Sequence, residues 1–183
     1  MIEDFEIIRR VRSGQQELFA LLIKKHQGDV FGLCCSLLSD QTEAQDAAQE
    51  IFLKAYRAFG SFREDSSFAT WLYRIGVNHC RDLLRAKSRR KTESLDHLME
   101  RHAQKIERLL SDSVANARSA EDAELIERLL SALPEDYRII LTLREAQGLS
   151  YQEIAETLDC SLDAVKARLR RARQALLKAR DTF

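Results

Sequence analysis

The chain has 183 residues with 45% hydrophobic side chains, enough for one medium domain or two small ones and too apolar for a disordered chain. Lys plus Arg and Asp plus Glu both number 29, which excludes a uniformly basic nucleic-acid coat but leaves room for local basic patches. A single Pro and 6 Gly argue against a turn-rich β-sandwich and for long helices, and no apolar run approaches the ~20 residues of a membrane span.

The amino terminus, MIEDFEIIRR, carries acids and then a helical pattern, unlike a signal peptide. The spacing predicts a helix from about Phe5 to Ser13, stopped at Gly14. A long amphipathic pattern follows over Gln16 to Leu38, with Leu18, Leu21, Leu22, Phe31 and Leu38 as its apolar residues. Thr42 and Gln45 read as a capping box for a helix carrying Ala44, Ala48, Ile51, Ala55 and Phe59, ended by Gly60. FREDSS is a short polar loop in which Ser66 or Ser67 caps the next helix. That helix is expected to run to about Lys87 on a stripe of Phe68, Leu72, Ile75 and Leu83.

From about Ser88 to Asp122 the periodicity weakens and charge dominates. This stretch reads as an interdomain linker with a short helix near Ile106 to Leu110. Beyond it, a helix over Ala123 to Ala132 stops before Pro134, and another spans about Asp136 to Glu145 with Ile139, Ile140 and Leu143 inward. Ser150 and Glu153 form a second capping box, for the helix YQEIAETL. After the tight connection Asp159-Cys160-Ser161, a last helix runs from Leu162 to about Arg180. The expected fold is all-α: two small helical domains, 1–90 and 123–183, joined by a flexible linker over 91–122.

Charge is distributed in blocks. Residues 1–60 carry a net −2, 61–91 a net +5, 92–136 a net −6 and 137–183 a net +3. Two basic blocks are separated by an acidic middle, the pattern of two polyanion-binding surfaces held apart by a connector; ordinary helix surface charge is the plainer alternative.

The second basic block holds a helix-turn-helix: YQEIAETL, the turn DCS, then LDAVKARLRRARQALL. Val165, Leu169, Ala172 and Leu176 step by four, three and four and face the core. Lys166, Arg170 and Arg173 follow one position later, and Arg168 and Arg171 widen the same face. Arg reads guanine bidentately and the remaining charges neutralise phosphate, so this helix suits a major groove. Asp163 suits a helix amino terminus but repels a nearby phosphate.

The first basic block, FGSFREDSSFATWLYRIGVNHCRDLLR, interleaves Phe62, Phe68, Trp71 and Tyr73 with Arg63, Arg74, Arg81 and Arg85. Such interleaving suits single-stranded nucleic acid, where bases stack and phosphates pair. Arg74, Arg81 and Arg85 share one helix face with Asn78, which can hydrogen-bond a base edge. Phe68 fits the core better than a base; Trp71 fits either. On the preceding helix, Asp46, Gln49, Glu50 and Lys54 form a polar stripe beside the edge of Phe52 and Tyr56, suited to protein docking or simply solvated.

Neither metal nor catalysis is expected. Cys34, Cys35, Cys80 and Cys160, with His26 and His79, match no zinc spacing, and disulfides are not expected in a reducing compartment. The acids are spread along helix faces and no Gly-rich phosphate loop occurs, so the chain is read as a non-enzyme without a cofactor.

The segments DAAQEIFLKAYRAF, FREDSSFATWLYRIGVNHCRDLLR and LPEDYRIILTLREAQGLSYQEIAETLDCSLDAVKARLRRAR closely resemble, in order and spacing, the extracytoplasmic-function (ECF) sigma factors of bacterial RNA polymerase. The resemblance implies a cytoplasmic transcription initiation factor that pairs with core RNA polymerase and promoter DNA and is restrained by an anti-sigma factor, without membrane insertion. It places Asp46, Gln49, Glu50 and Phe52 on the surface that docks the polymerase clamp helices. It places Phe62, Arg63, Ser66, Ser67, Trp71, Asn78, Arg81 and Arg85 at the minus-ten element, where one base is flipped out and the duplex melts. It places Ser161, Lys166, Arg168, Arg170, Arg171 and Arg173 at the minus-thirty-five duplex. Asp163-Ala164 and Ala167 depart from the Gly-Thr and Ser common in the family, which bears on promoter preference. A stand-alone helix-turn-helix regulator is the alternative, and it leaves the aromatic-rich segment without a role.

Overall fold

The computed structural model describes residues 3–38, 40–93, 129–130 and 132–180. Those residues are helical throughout apart from turns and short loops. The amino-terminal half consists of α1 (Asp4–Arg12), α2 (Phe19–Leu37), α3 (Gln41–Ala58) and α4 (Phe68–Glu93), with 3-10 turns at Gln16–Leu18 and Phe59–Ser61. The carboxy-terminal half consists of α5 (Glu135–Leu141), a π-helical turn over Thr142–Ala146, α6 (Tyr151–Leu158) and α7 (Leu162–Arg180).

Local chemistry explains most of the boundaries. Ser13 ends α1, and Gly14 follows at φ 108°, a left-handed backbone that favours glycine. The start of α3 differs from the expected Thr42–Gln45 box. Asp40 has the extended backbone of a cap, its carboxylate accepts the Glu43 N–H at 2.9 Å, and Thr42 already lies inside the first turn. Of the two candidate serines before α4, Ser67 is the cap, accepting the Thr70 N–H at 3.0 Å. The helix behind it extends past Lys87 to Glu93. Ser150 and Glu153 form the expected reciprocal box at α6. Asp159, left-handed at φ 52°, ends α6, and the Ser161 hydroxyl accepts the Ala164 N–H to start α7. The helix expected to reach Glu145 is α-helical only to Leu141 and continues as the π turn. The linker helix near Ile106 to Leu110 lies outside the described residues, as does all of the Ala123–Ala132 helix except Leu129, Leu130 and Ala132.

Helices α2, α3 and α4 pack on one another around Leu22, Leu33, Leu37, Ile51, Leu72 and Val77, all essentially inaccessible. Each such side chain contributes about 1.5–3 kcal/mol on burial. Gly76 sits at the crossing of the three helices: a Cβ there would lie 2.9 Å from a Leu33 methyl. Phe19, Phe59, Phe62 and Phe68 close one end of this core in edge-to-face contacts. Cys34 and Cys80 meet inside it with their sulfurs 4.0 Å apart, and the hydrogen bond with Cys80, followed by burial, pushes the Cys34 thiol up, the direction of an inert group. In the carboxy-terminal half Ile139, Ile140, Leu143, Ile154, Val165, Leu169 and Ala172 are buried, in one hydrophobic cluster with the core of the amino-terminal half.

The two halves touch. Helix α6 lies against α4, and α5 with the π turn lies against α2. Tyr73 donates to the Gln147 side chain at 2.9 Å, and Arg138 donates to the Leu37 carbonyl at 3.0 Å.

Candidate nucleic-acid interface

The turn Asp159-Cys160-Ser161 holds α6 and α7 as a helix-turn-helix. Val165, Leu169 and Ala172 are buried as the spacing predicts, and Leu176 is half-buried. This anchors α7 on its apolar side and turns its basic face outward. Arg170 and Arg171 are exposed and make no ion pair among the described residues. Lys166 is exposed and pairs with Asp163 at 3.1 Å, while Arg168 is half-buried. Arg173 is bound to Glu145 at 2.8 Å, which raises its guanidinium still further. The face is therefore cationic, with Asp163 and Glu145 each already engaged by a base of the same helix.

The second face lies on α4 and the loop before it. Trp71 is half-buried, with its ring 5.1 Å from Phe62 and 5.6 Å from Phe68. Phe68 is core, as expected. Phe62 is buried too, so its ring holds the loop and is not presented to a base in this structure. Arg63 and Ser67 are exposed and Ser66 is half-buried. Asn78 and Arg85 project to solvent.

Arg81 stands apart. Its side chain is only 19% exposed and is held by Asp136 at 2.9 Å and Glu135 at 3.6 Å, both from the first turn of α5. Arg74, beside it on the same face, lies 3.8 Å from Asp159. Tyr73 lies under this contact, and burial followed by the charges of Asp29 and Glu153 pushes its hydroxyl up to about 12. The acidic block of the sequence thus ends on the basic face of α4. The sequence pattern did not pair Arg81 with Glu135 or Asp136, or Tyr73 with Gln147, because these partners are more than fifty residues apart.

The docking surface expected on α3 is partly different from its sequence reading. Asp46 and Gln49 are exposed, and Glu50 is half-buried 3.9 Å from Arg57. Phe52 is buried, contrary to the exposed edge expected for it, whereas Tyr56 is exposed. Phe52 forms the floor of a groove of about 540 Å³ between α2 and α3, lined also by Ile23, Phe31, Gln45, Ala48 and Gln49. Lys54 donates to His79 at 2.7 Å. Burial and the Lys54 charge hold His79 below its ordinary value, so its ring accepts as the neutral form. Among the described residues no three His, Cys, Asp or Glu side chains are grouped for a metal ion.

The described residues thus carry a helix-turn-helix with an exposed cationic helix and, on α4, a second face of aromatics and arginines. Comparison with known proteins identifies the class. The model for sigma-70 region 2 matches residues 22–90, and that for sigma-70 region 4 matches residues 123–176. The RNA polymerase sigma-H factor of Pseudomonas aeruginosa is 40% identical over 180 residues, covering 97% of this chain and 93% of that one. The ECF RNA polymerase sigma-E factor of Escherichia coli K12 is 39% identical over 180 residues, covering 96% and 93%. The solved structure of CnrH in complex with the cytosolic domain of CnrY matches with a TM-score of 0.72 at 27% identity, covering 98% of this chain and 97% of that one. The chain belongs to the ECF sigma factors of bacterial RNA polymerase. It is a transcription initiation factor that directs core polymerase to promoters; the stand-alone regulator is not favoured.

Proposed function

We propose that residues 1–90 bind core polymerase and open the minus-ten element, that 91–122 connect, and that 123–183 read the minus-thirty-five duplex. The observation that carries this is the pairing of an exposed cationic helix, α7, with a separate aromatic and arginine face on α4. The two faces need different DNA: α7 fits an intact major groove, and Trp71, Asn78 and Arg63 suit unstacked bases. Lys166, Arg168, Arg170, Arg171 and Arg173 supply phosphate and base contacts, with Ser161 at the turn. Ser66, Ser67 and Arg85 border the single strand, and Phe62 supports the loop from beneath. Asp46 and Glu50 on α3, with Gln49 and Phe52 of the neighbouring groove, receive a polymerase helix carrying basic groups. Binding, melting and positioning are the whole task of this chain, and bond-making stays with the polymerase, inside the cell.

Trp71 gives the experiment that tests the melting role. Stacking on a base is worth about 1–3 kcal/mol. Trp71→Ala is expected to lower open-complex yield roughly tenfold while closed-complex affinity stays within twofold. Permanganate reactivity and gel shift on the same promoter separate the two, and equal opening would remove Trp71 from the site.

Arg81 adds a condition. While it is paired with Glu135 and Asp136 its charge is already neutralised and its side chain is covered, so the carboxy-terminal domain competes with the minus-ten strand for Arg81. Glu135→Gln with Asp136→Asn is expected to raise the affinity of the isolated chain for single-stranded minus-ten DNA several-fold, measured by anisotropy at low salt. An unchanged affinity would mean that the contact does not compete with DNA. The same closed arrangement suits an anti-sigma partner that clasps both halves, as supported by the likeness to CnrH, which was solved with the cytosolic domain of CnrY.

A further inference from the structure

The matched sigma-70 region 2 begins at residue 22, so α1 lies outside it. Yet the last residue of α1 reaches the loop Phe62–Ser67. The Arg12 guanidinium donates to the Phe62 carbonyl, pairs with the Glu64 carboxylate, and stands 5.9 Å from the centre of the Phe62 ring. Glu64 has φ 62°, a left-handed backbone that a side chain disfavours. A conformation of that kind persists only where its surroundings hold it. Phe62, packed on Phe68 and Trp71, holds the loop from below, and Arg12 holds its backbone and its next turn from the side. Helix α1 is itself pinned to α2. Asp4 accepts from Lys25 at 2.6 Å and lies 2.8 Å from His26, and these contacts outweigh partial burial to keep its carboxyl below the usual range.

From these contacts we infer that Arg12 is a positioning residue for minus-ten DNA: it fixes the loop so that Arg63 and Ser66 face the strand before it binds. This rests on the minus-ten reading above. A loop ordered in advance loses less freedom when a base is captured, so affinity for the single strand depends on Arg12 although Arg12 itself need not touch DNA. An Arg is required because one planar fork serves the carbonyl and the carboxylate together; a Lys retains only a point charge.

The test uses full-length chain bound to core polymerase, with a promoter that this holoenzyme selects from a randomised library. Two probes are compared by anisotropy: fork DNA with a single-stranded minus-ten segment, and a duplex fragment holding only the minus-thirty-five element. Arg12→Ala is expected to weaken fork binding about tenfold and leave duplex binding, core affinity and thermal melting unchanged. Arg12→Lys is expected to recover part of the loss, and Glu64→Gln, which keeps the carbonyl contact, to lose less than Arg12→Ala. Fork binding unchanged in Arg12→Ala overturns the assignment. So does an equal loss on both probes, which would mark a general folding role. Failure of the unaltered chain to bind the fork would instead overturn the minus-ten reading, and the role of Arg12 with it.

Discussion

Replacing Asp46 and Glu50 together with Lys is expected to abolish the complex with core RNA polymerase, weakening it at least a hundredfold, while the chain stays folded. The two residues lie one turn apart on α3, at i and i+4, so their carboxylates share one face of the helix, beside Gln49, which lines the Phe52 groove. Reversing both changes the local charge by about four units. Like-charge contact across an interface costs several kcal/mol, and each 1.4 kcal/mol is a factor of ten. Folding is spared because Asp46 is exposed and the half-buried Glu50 makes a long ion pair with Arg57, at 3.9 Å, and acts on His79 only through its charge. Co-elution with core polymerase at moderate salt reads the effect, and circular dichroism checks the fold. Retained binding would move the docking surface off α3.

Replacing Arg170 and Arg171 with Ala is expected to weaken minus-thirty-five duplex binding by about a hundredfold or more and to flatten its salt dependence. A base-reading or phosphate-bound Arg is worth about 1–3 kcal/mol, and each lost phosphate contact reduces the salt slope by about 0.9. Loss of both gives a slope shallower by about 1.8 if both bind phosphate, and by less where one reads a base. Both side chains are exposed, so the helix, anchored by Val165, Leu169 and Ala172, keeps its place. Titration at several salt concentrations measures affinity and slope together. An unchanged slope would take both residues out of the phosphate contacts.

How far these surfaces were legible in the sequence depended on the range of the forces involved. The helix-turn-helix was legible because its causes are local: a reciprocal Ser150–Glu153 box, a three-residue turn and apolar residues every three or four positions. The cores followed for the same reason, since Ile139, Ile140 and Leu143 had one face to bury. Local rules failed where two caps competed. Asp40, not Thr42, has the extended backbone of a cap, and the order of polar residues alone does not reveal it. Phe62 and Phe52 show a different limit. A loop has no period, so nothing marked Phe62 for the core; the edge expected for Phe52 is instead the floor of a groove that exists only once α2 packs beside α3. Hardest to see were Arg12 with Glu64 and Arg81 with Asp136, pairs brought together across 52 and 55 residues. The blocks of charge were read as two basic surfaces held apart by an acidic connector, whereas the end of that connector pairs with Arg81. The first pair left no trace.

Joined to core polymerase, this chain is expected to open promoter DNA. The direct measurement is permanganate reactivity of minus-ten thymines on a promoter selected by the reconstituted one-to-one complex. Reactivity that appears only with chain and core together is the predicted result. A complex that binds the promoter and leaves every thymine protected would contradict it.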